Sequence, residues 1–266
     1  MFLKSSDGKN IFCEVRGNQQ AESTLVLLNG LTQSTMAWHF FVPFFKKDHR
    51  IILLDFIFQG QSDKDGGWRD FNHHAADVQA VLEQLNVDRC TLIGISYGSL
   101  VAQHFALLFP HKLNKLVLIS TFAHKTPYYE AVELSWWRAL EQGGYNLMLD
   151  IMLPSVLSEE YFEHPVVPLS SLKNFRQGMN ENSEAIFKLM RATRERKDFR
   201  KELQKIKTPT LIVQGEKDLL FPPHMALEVQ KNLPGAELKI IKLAGHTLNL
   251  EKVPEVSRVI GEFLKG

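Results

Sequence analysis

Leu92-Ile93-Gly94-Ile95-Ser96-Tyr97-Gly98 is the stretch on which the fold turns. Its first half, continuing back to Cys90, is short, apolar and partly β-branched, the pattern of a buried strand. Its second half leads into Val101, Ala102, Phe105, Leu108 and Phe109, apolar at helical spacing until Pro110 ends the pattern. Gly-x-Ser-x-Gly joins the two. A serine at such a strand-to-helix turn is forced into an uncommon backbone conformation, and positions 94 and 98 must lack bulk because strand and helix pack closely there. The turn presents the Ser96 hydroxyl at the top of a sheet and at a helix N-terminus, whose unpaired N–H groups and dipole favour developing negative charge. Acyl transfer needs that arrangement, so Ser96 is the candidate nucleophile.

Outward from this turn, apolar strand patterns recur at 11–15, 25–28, 51–54, 91–95, 116–119, 211–213 and 238–241, mostly separated by helical patterns. That alternation predicts an α/β fold, a mainly parallel sheet with helices on both faces. The polar link 17–23 is short, which suggests an antiparallel entry before the parallel crossovers begin. Ala75, Val78, Val81, Leu82 and Leu85 form a helical stripe just before the elbow strand, and Val256, Val259, Ile260, Phe263 and Leu264 form the last one. From 121 to about 207 the strand rhythm stops and helical, aromatic and charged segments take over. The expected organisation is a core of residues 1–120 and 208–266 with an inserted helical cap, 121–207. Within that cap Trp136, Trp137, Tyr145, Phe162, Phe175 and Phe187 are candidates to line an apolar pocket over Ser96 or to hold the cap helices together.

Composition narrows the function classes. The 266 residues carry 31 lysines and arginines against 30 aspartates and glutamates, so no global field would gather nucleic acid or an anionic membrane. A small neutral or amphipathic substrate fits better. The N-terminus turns polar after Met1-Phe2-Leu3, with neither a signal-type apolar region nor a spanning segment, and the default expectation is a cytoplasmic protein. Cys13 and Cys90, the only cysteines, lie in strand-like runs and read as buried thiols rather than a disulfide or metal pair. No metal motif is visible. His73 and His74 are adjacent rather than four apart and read as solvated residues near a helix start.

A serine nucleophile needs a base. His246 follows the 238–241 strand pattern in Leu243-Ala244-Gly245-His246-Thr247, where Gly245 permits a tight turn toward the sheet edge. His104 and His111 belong to the helix after the elbow or its end. An orienting carboxylate is offered by Asp218, in Gly215-Glu216-Lys217-Asp218 directly after the strand at 211–213. Strand ends of an open parallel sheet gather at one edge, so Ser96, Asp218 and His246 can converge despite their separation in sequence.

The order Ser, Asp, His, together with Leu28-Asn29-Gly30-Leu31, Asp55 through Gly60-Gln61-Ser62, the elbow, Gly215-Glu216-Lys217-Asp218 and Gly245-His246, resembles the α/β-hydrolase superfamily over nearly the whole chain. The resemblance implies an oxyanion hole built from the backbone N–H groups of Leu31 and Tyr97. Asn29-Gly30 stands where that family usually has His-Gly, and Ser99 where it often has a second glycine. Asn29 is read equally as a brace for its loop and as a substrate contact, alongside Trp136 and Trp137. Asn29-Gly30 and the phrase from Leu54 to Ser62 also resemble the acyltransferase of the rhamnolipid pathway, which joins 3-hydroxyacyl chains taken from acyl carrier protein.

The leading expectation is a serine hydrolase that cleaves acyl esters or thioesters through an acyl-enzyme, with no cofactor. An acyltransferase and a carbon–carbon bond hydrolase are the enzymatic alternatives, and a ligand receptor on the same fold is the non-catalytic one. Between Lys188 and Lys207 nine basic residues face three acidic ones. Such a run reads first as a solvated surface. Its sharper reading, centred on Arg194, Arg196 and Arg200, is a docking face for an acidic acyl carrier protein or a coenzyme A thioester.

Overall fold

The structure, a computed structural model, describes residues 1–172 and 182–266. Eight strands form one sheet in the order β1-β2-β4-β3-β5-β6-β7-β8. They are β1 (Phe2–Lys4), β2 (Asn10–Gly17), β3 (Thr24–Leu28), β4 (Arg50–Leu54), β5 (Cys90–Ile95), β6 (Leu113–Ile119), β7 (Thr210–Gly215) and β8 (Glu237–Ile241). From β4 to β8 all neighbours are parallel. The antiparallel entry is present, with a different partner from the one the short link suggests. β2 lies against β4, not β3, with Cys13 opposite Leu54, and the extra edge strand β1 adds Phe2 opposite Phe12. Three residues are too few to show an alternation, which is why sequence pattern gives no sign of β1.

The helices are α1 (Val42–Phe45), α2 (Phe71–Gln84), α3 (Tyr97–Leu108), α4 (Pro127–Val156), α5 (Glu159–Glu163), α6 (Ser183–Glu195), α7 (Arg200–Leu203), α8 (Pro223–Asn232), α9 (Leu248–Glu251) and α10 (Val253–Lys265). Side chains alternate across the sheet as the pleat requires. Leu25, Leu27, Ile93, Ile95, Val117 and Val213 face a core closed by α1 and α10. Val26, Leu28, Leu92, Leu116 and Leu118 face the other core, built on α2 and α3 and continuous with the inner side of α4. α4 is two helical segments that meet at Gly144, whose φ of +69° only a residue without a Cβ adopts freely.

His74 departs from the solvated reading. His73 is exposed and completes the cap of α2, where Asp70 accepts its N–H at 2.9 Å. The next residue is turned about 100° around the helix, so His74 shares the inward face of Ala75 and Val78 and is fully buried against Phe56 and Tyr97. Burial pulls its pKa down to about 3, leaving it neutral at physiological pH. Cys13 and Cys90 are both buried free thiols, pushed up to about 12 by burial.

Candidate active site

Four loops leave the carboxyl ends of parallel strands at one edge of the sheet: β3 into Asn29-Gly30-Leu31, β5 into Ser96, β7 into Asp218 and β8 into His246. At the elbow Ser96 has φ +52° and ψ −117°, a conformation that costs a non-glycine residue about 1–3 kcal/mol. It is held there because its N–H donates to the Ile119 carbonyl of β6 at 2.9 Å and its own carbonyl starts α3. A Cβ at Gly98 would collide with the Leu28 and Asn29 carbonyls, and one at Gly94 with the Gly98 carbonyl. Both glycines are therefore demanded by close backbone approach, as the motif implies. Tyr97 is the first residue of α3, so its N–H has no acceptor one helical turn back.

His246 Nδ1 lies 2.8 Å from Asp218 Oδ2, and both side chains are buried. Asp218 is fixed on every side. Its Oδ1 accepts the Leu220 and Phe221 N–H groups at 2.9 and 2.8 Å, and its Oδ2 also accepts Gln214 Nε2 at 2.8 Å. The His246 ring stands edge-on to Phe221, with centroids 4.7 Å apart, and its backbone carbonyl accepts the Ser120 hydroxyl at 2.8 Å. Its Nε2 is buried without a hydrogen-bond partner among the described residues. One cavity brings together Ser96, His246, Gly30, Leu31, Thr32 and Gln33, with Ile95, Trp136, Met152, Val156, Leu220 and Thr247 completing the wall. His104 packs on Phe199 away from this cavity, and His224 is exposed on α8.

The loop carrying Leu31 is braced from behind. Gln59 Nε2 donates to the carbonyls of Gly30 and Leu31 at 2.8 and 3.0 Å, and Gln33 Oε1 accepts the Gly30 N–H at 3.0 Å. Asn29 belongs to this bracing and not to the cavity wall. Its Nδ2 donates to the Leu54 carbonyl at 2.9 Å and its Oδ1 accepts Trp38 Nε1 at 3.0 Å. With the amide satisfied in the core and no side-chain surface exposed, nothing is left to meet a substrate. The His246 loop has its own clamp. The buried Glu251 carboxylate accepts the N–H groups of Gly245, Thr247 and Ser158 at 2.9, 3.2 and 3.1 Å, joining the loop to the end of α4. Gln59, Gln33, Glu251 and Gln214 were invisible to sequence reasoning, because bracing side chains obey no spacing rule. Gln59 alone lies inside a quoted phrase.

Of the aromatic candidates between β6 and β7, the structure brings Trp136 to the cavity, together with two residues that are not aromatic. Trp136, Met152 and Val156 line the cavity. Trp137, one position on, is rotated out of it and packs against Phe187 with centroids 4.6 Å apart, under the Arg194 guanidinium at 4.5 Å. Tyr145 is buried away from the cavity wall, Phe162 is exposed, and Phe175 lies outside the described residues. Much of the basic run is engaged by its neighbours. Arg200 pairs with Asp198 and Glu228, Arg191 with Glu195 while lying over Trp68, and Lys205 with Glu202. Arg194 is committed to Trp137, and Arg196 is buried. Ion pairing removes part of the local charge, while Lys197, Lys201 and Lys207 stay exposed.

The α/β hydrolase fold family is matched over residues 23–253, and the chain belongs to that family. A hydrolase of Escherichia coli O81 (strain ED1a), named for 2-hydroxy-6-oxononadienedioate and 2-hydroxy-6-oxononatrienedioate, is 27% identical, the match spanning 97% of this chain and 92% of the relative. An uncharacterized hydrolase of Bacillus subtilis (strain 168) is 27% identical over 97% of this chain and 96% of its own length. Among solved structures, the α/β hydrolase enzyme MGS-M2 from a Medee basin deep-sea metagenome library superposes with a TM-score of 0.89 at 27% identity, covering 97% of this chain and 95% of that one. The protein is thus an α/β hydrolase, and no helix among its described residues is long and apolar enough to cross a membrane.

Proposed function

We propose that this hydrolase cleaves small apolar acyl esters or thioesters through a Ser96 acyl-enzyme. His246 Nε2 takes the Ser96 hydroxyl proton as Oγ bonds to the substrate carbonyl carbon. The carbonyl oxygen becomes an anion held by the Leu31 and Tyr97 N–H groups. Asp218 keeps the imidazole in the tautomer with its proton on Nδ1 and stabilises the imidazolium that forms. His246 then returns the proton to the leaving alcohol or thiol, and water activated by the same nitrogen releases the acid. No cofactor enters.

The observation that carries this reading is His246 itself. One ring nitrogen is bound to a fully bonded Asp218, and the other is buried and unpartnered beside the cavity that Ser96 lines. The apolar wall of Leu31, Ile95, Trp136, Met152, Val156 and Leu220 suits an uncharged acyl group. The name of the Escherichia coli relative favours a second reading, hydrolysis of a carbon–carbon bond in a dicarboxylic oxo-dienoate. Water displaced by an acceptor alcohol would turn the first reading into acyl transfer.

The test is a serine-directed fluorophosphonate with a series of p-nitrophenyl esters. One adduct, on Ser96, and loss of both labelling and turnover in Ser96→Ala are expected. An adduct on another serine, or full activity in Ser96→Ala, overturns the assignment. Turnover of a dienoate with none of any ester selects the second reading.

A further inference from the structure

Arg196 closes α6 and is buried among Phe71, Phe122 and Phe199, its Cζ 5.8, 5.3 and 4.6 Å from their ring centroids. Its hydrogen-bond partners are neutral oxygens: Nη1 donates to the Ala123 carbonyl at 3.1 Å and Nη2 to Gln103 Oε1 at 2.7 Å. Burying a guanidinium against oxygens of neutral groups is costly. Burial pulls its pKa down to about 9, which still leaves it cationic at neutral pH.

The hydrogen bonds continue from Gln103. Its Nε2 lies 2.8 Å from Thr121 Oγ1, Thr121 Oγ1 lies 2.9 Å from Ser99 Oγ, and Ser99 Oγ lies 2.6 Å from the Ser96 carbonyl oxygen. The chemistry of the two ends fixes the direction of every link. A guanidinium only donates, so Gln103 must present its oxygen to Arg196 and its NH2 to Thr121. A carbonyl only accepts, so Ser99 spends its one proton on Ser96 and must accept the Thr121 proton. Four bonds therefore point the same way, from a buried cation to the carbonyl of the candidate nucleophile, and bonds so aligned strengthen one another.

The Ser96 carbonyl and the Tyr97 N–H belong to one peptide unit. Donation to that carbonyl draws electron density from the nitrogen and makes the N–H a stronger donor, while also fixing the plane in which it points. We propose that Arg196, Gln103, Thr121 and Ser99 are positioning residues for the oxyanion hole, a relay that couples the end of cap helix α6 to the Tyr97 N–H through the Ser96 peptide. The inference rests on the proposed role of Tyr97 and Ser96. Ser99, at the place where the family often has glycine, is the link that a glycine could not supply.

Thr121 gives the sharpest test, because valine keeps its shape and removes the hydroxyl while serine keeps the hydroxyl and removes a methyl. Thr121→Val and Ser99→Ala should each lower kcat by roughly tenfold, a fraction of the loss caused by deleting an oxyanion donor outright. KM should stay within about twofold. Affinity for a trifluoromethyl ketone, whose adduct carries an oxyanion, should fall in step with kcat, and Thr121→Ser should restore both. The double variant Ser99→Ala/Thr121→Val should be no worse than either single, since the chain is already cut. Gln103→Met severs the cap end and leaves the Arg196 bond to Ala123, so it tests the relay even if replacements of Arg196 fail to fold. A packing role reverses the order, with valine tolerated and serine impaired, and that result overturns the relay. So does parent-like kcat in Ser99→Ala when fluorophosphonate still labels Ser96. Failure of Ser96 to label overturns the underlying assignment instead.

Discussion

Asp218 and Glu133 are both buried carboxylates, one at the sheet edge and one in cap helix α4, and their surroundings differ sharply. Asp218 accepts three hydrogen bonds and faces His246. Among the described residues Glu133 accepts one hydrogen bond, from the Tyr129 hydroxyl at 3.2 Å, and burial raises its pKa to about 7. The turn that follows β7 supplies the Leu220 and Phe221 N–H groups within three residues of Asp218. On α4 the backbone N–H groups are spent on the helix itself, so a buried carboxylate there must find side chains. The sheet edge is prepared locally for charge, whereas the place of Glu133 on α4 is prepared for apolar contact and tolerates its charge poorly.

The comparison breaks most decisively at the sheet edge. His246→Ala should lower kcat by several orders of magnitude, and Asp218→Asn by on the order of 10⁴, the loss measured when the triad aspartate of a serine protease becomes asparagine. Turnover of a p-nitrophenyl ester by the singles and the double shows whether they act together. Losses that multiply would mean that the two residues do not work as one unit. Dependence on the exposed His224 with a dispensable His246 would move the base to another loop.

A smaller effect separates the two tryptophans. Trp136 lines the cavity and Trp137 supports the cap beneath Arg194. Trp136→Ala should shift the preferred acyl chain by two or more carbons, with kcat/KM for the shortest ester falling roughly ten- to a hundredfold as lost contacts loosen the site. Trp137→Ala should lower the melting temperature and leave chain-length preference unchanged. The same shift in both variants would erase the distinction between wall and support.

These expectations also mark how far sequence reaches. The sheet, the elbow and the residues after β5, β7 and β8 were legible because strand runs and tight turns are local, and parallel topology collects their ends at one edge. The pairing of β2 with β4 was not, because strand order depends on contacts beyond the chain's local pattern. In the cap, aromatic type was visible but orientation was not. Adjacent helical residues differ by about 100°, so Trp136 and Trp137 meet different partners while looking alike in sequence. Arg196 misled for a related reason: a basic run looks uniform, and only the tertiary contacts select the one arginine that is buried.

The smallest effect is read in stability rather than rate. The Glu133 carboxyl has its pKa raised from 4.5 to about 7, chiefly by burial, with the Tyr129 hydrogen bond and the charges of Lys125 and Arg194 acting in the opposite direction. Below pH 4.5 the group is protonated in folded and unfolded chains alike and adds nothing to the pH dependence. Between there and pH 7 the unfolded chain gives up its proton while the folded one keeps it, so stability falls as pH rises, and above pH 7 the full penalty is in place. A gap of that size corresponds to on the order of 3 kcal/mol. Glu133→Gln keeps an acceptor for the Tyr129 hydroxyl and removes the ionisation. Its melting temperature should exceed the parent's by several degrees at pH 8, and the gap should close as pH falls toward 4.5. A difference that stays constant across this range would mean that Glu133 does not titrate in the folded cap, and the contrast with Asp218 would lose its electrostatic basis.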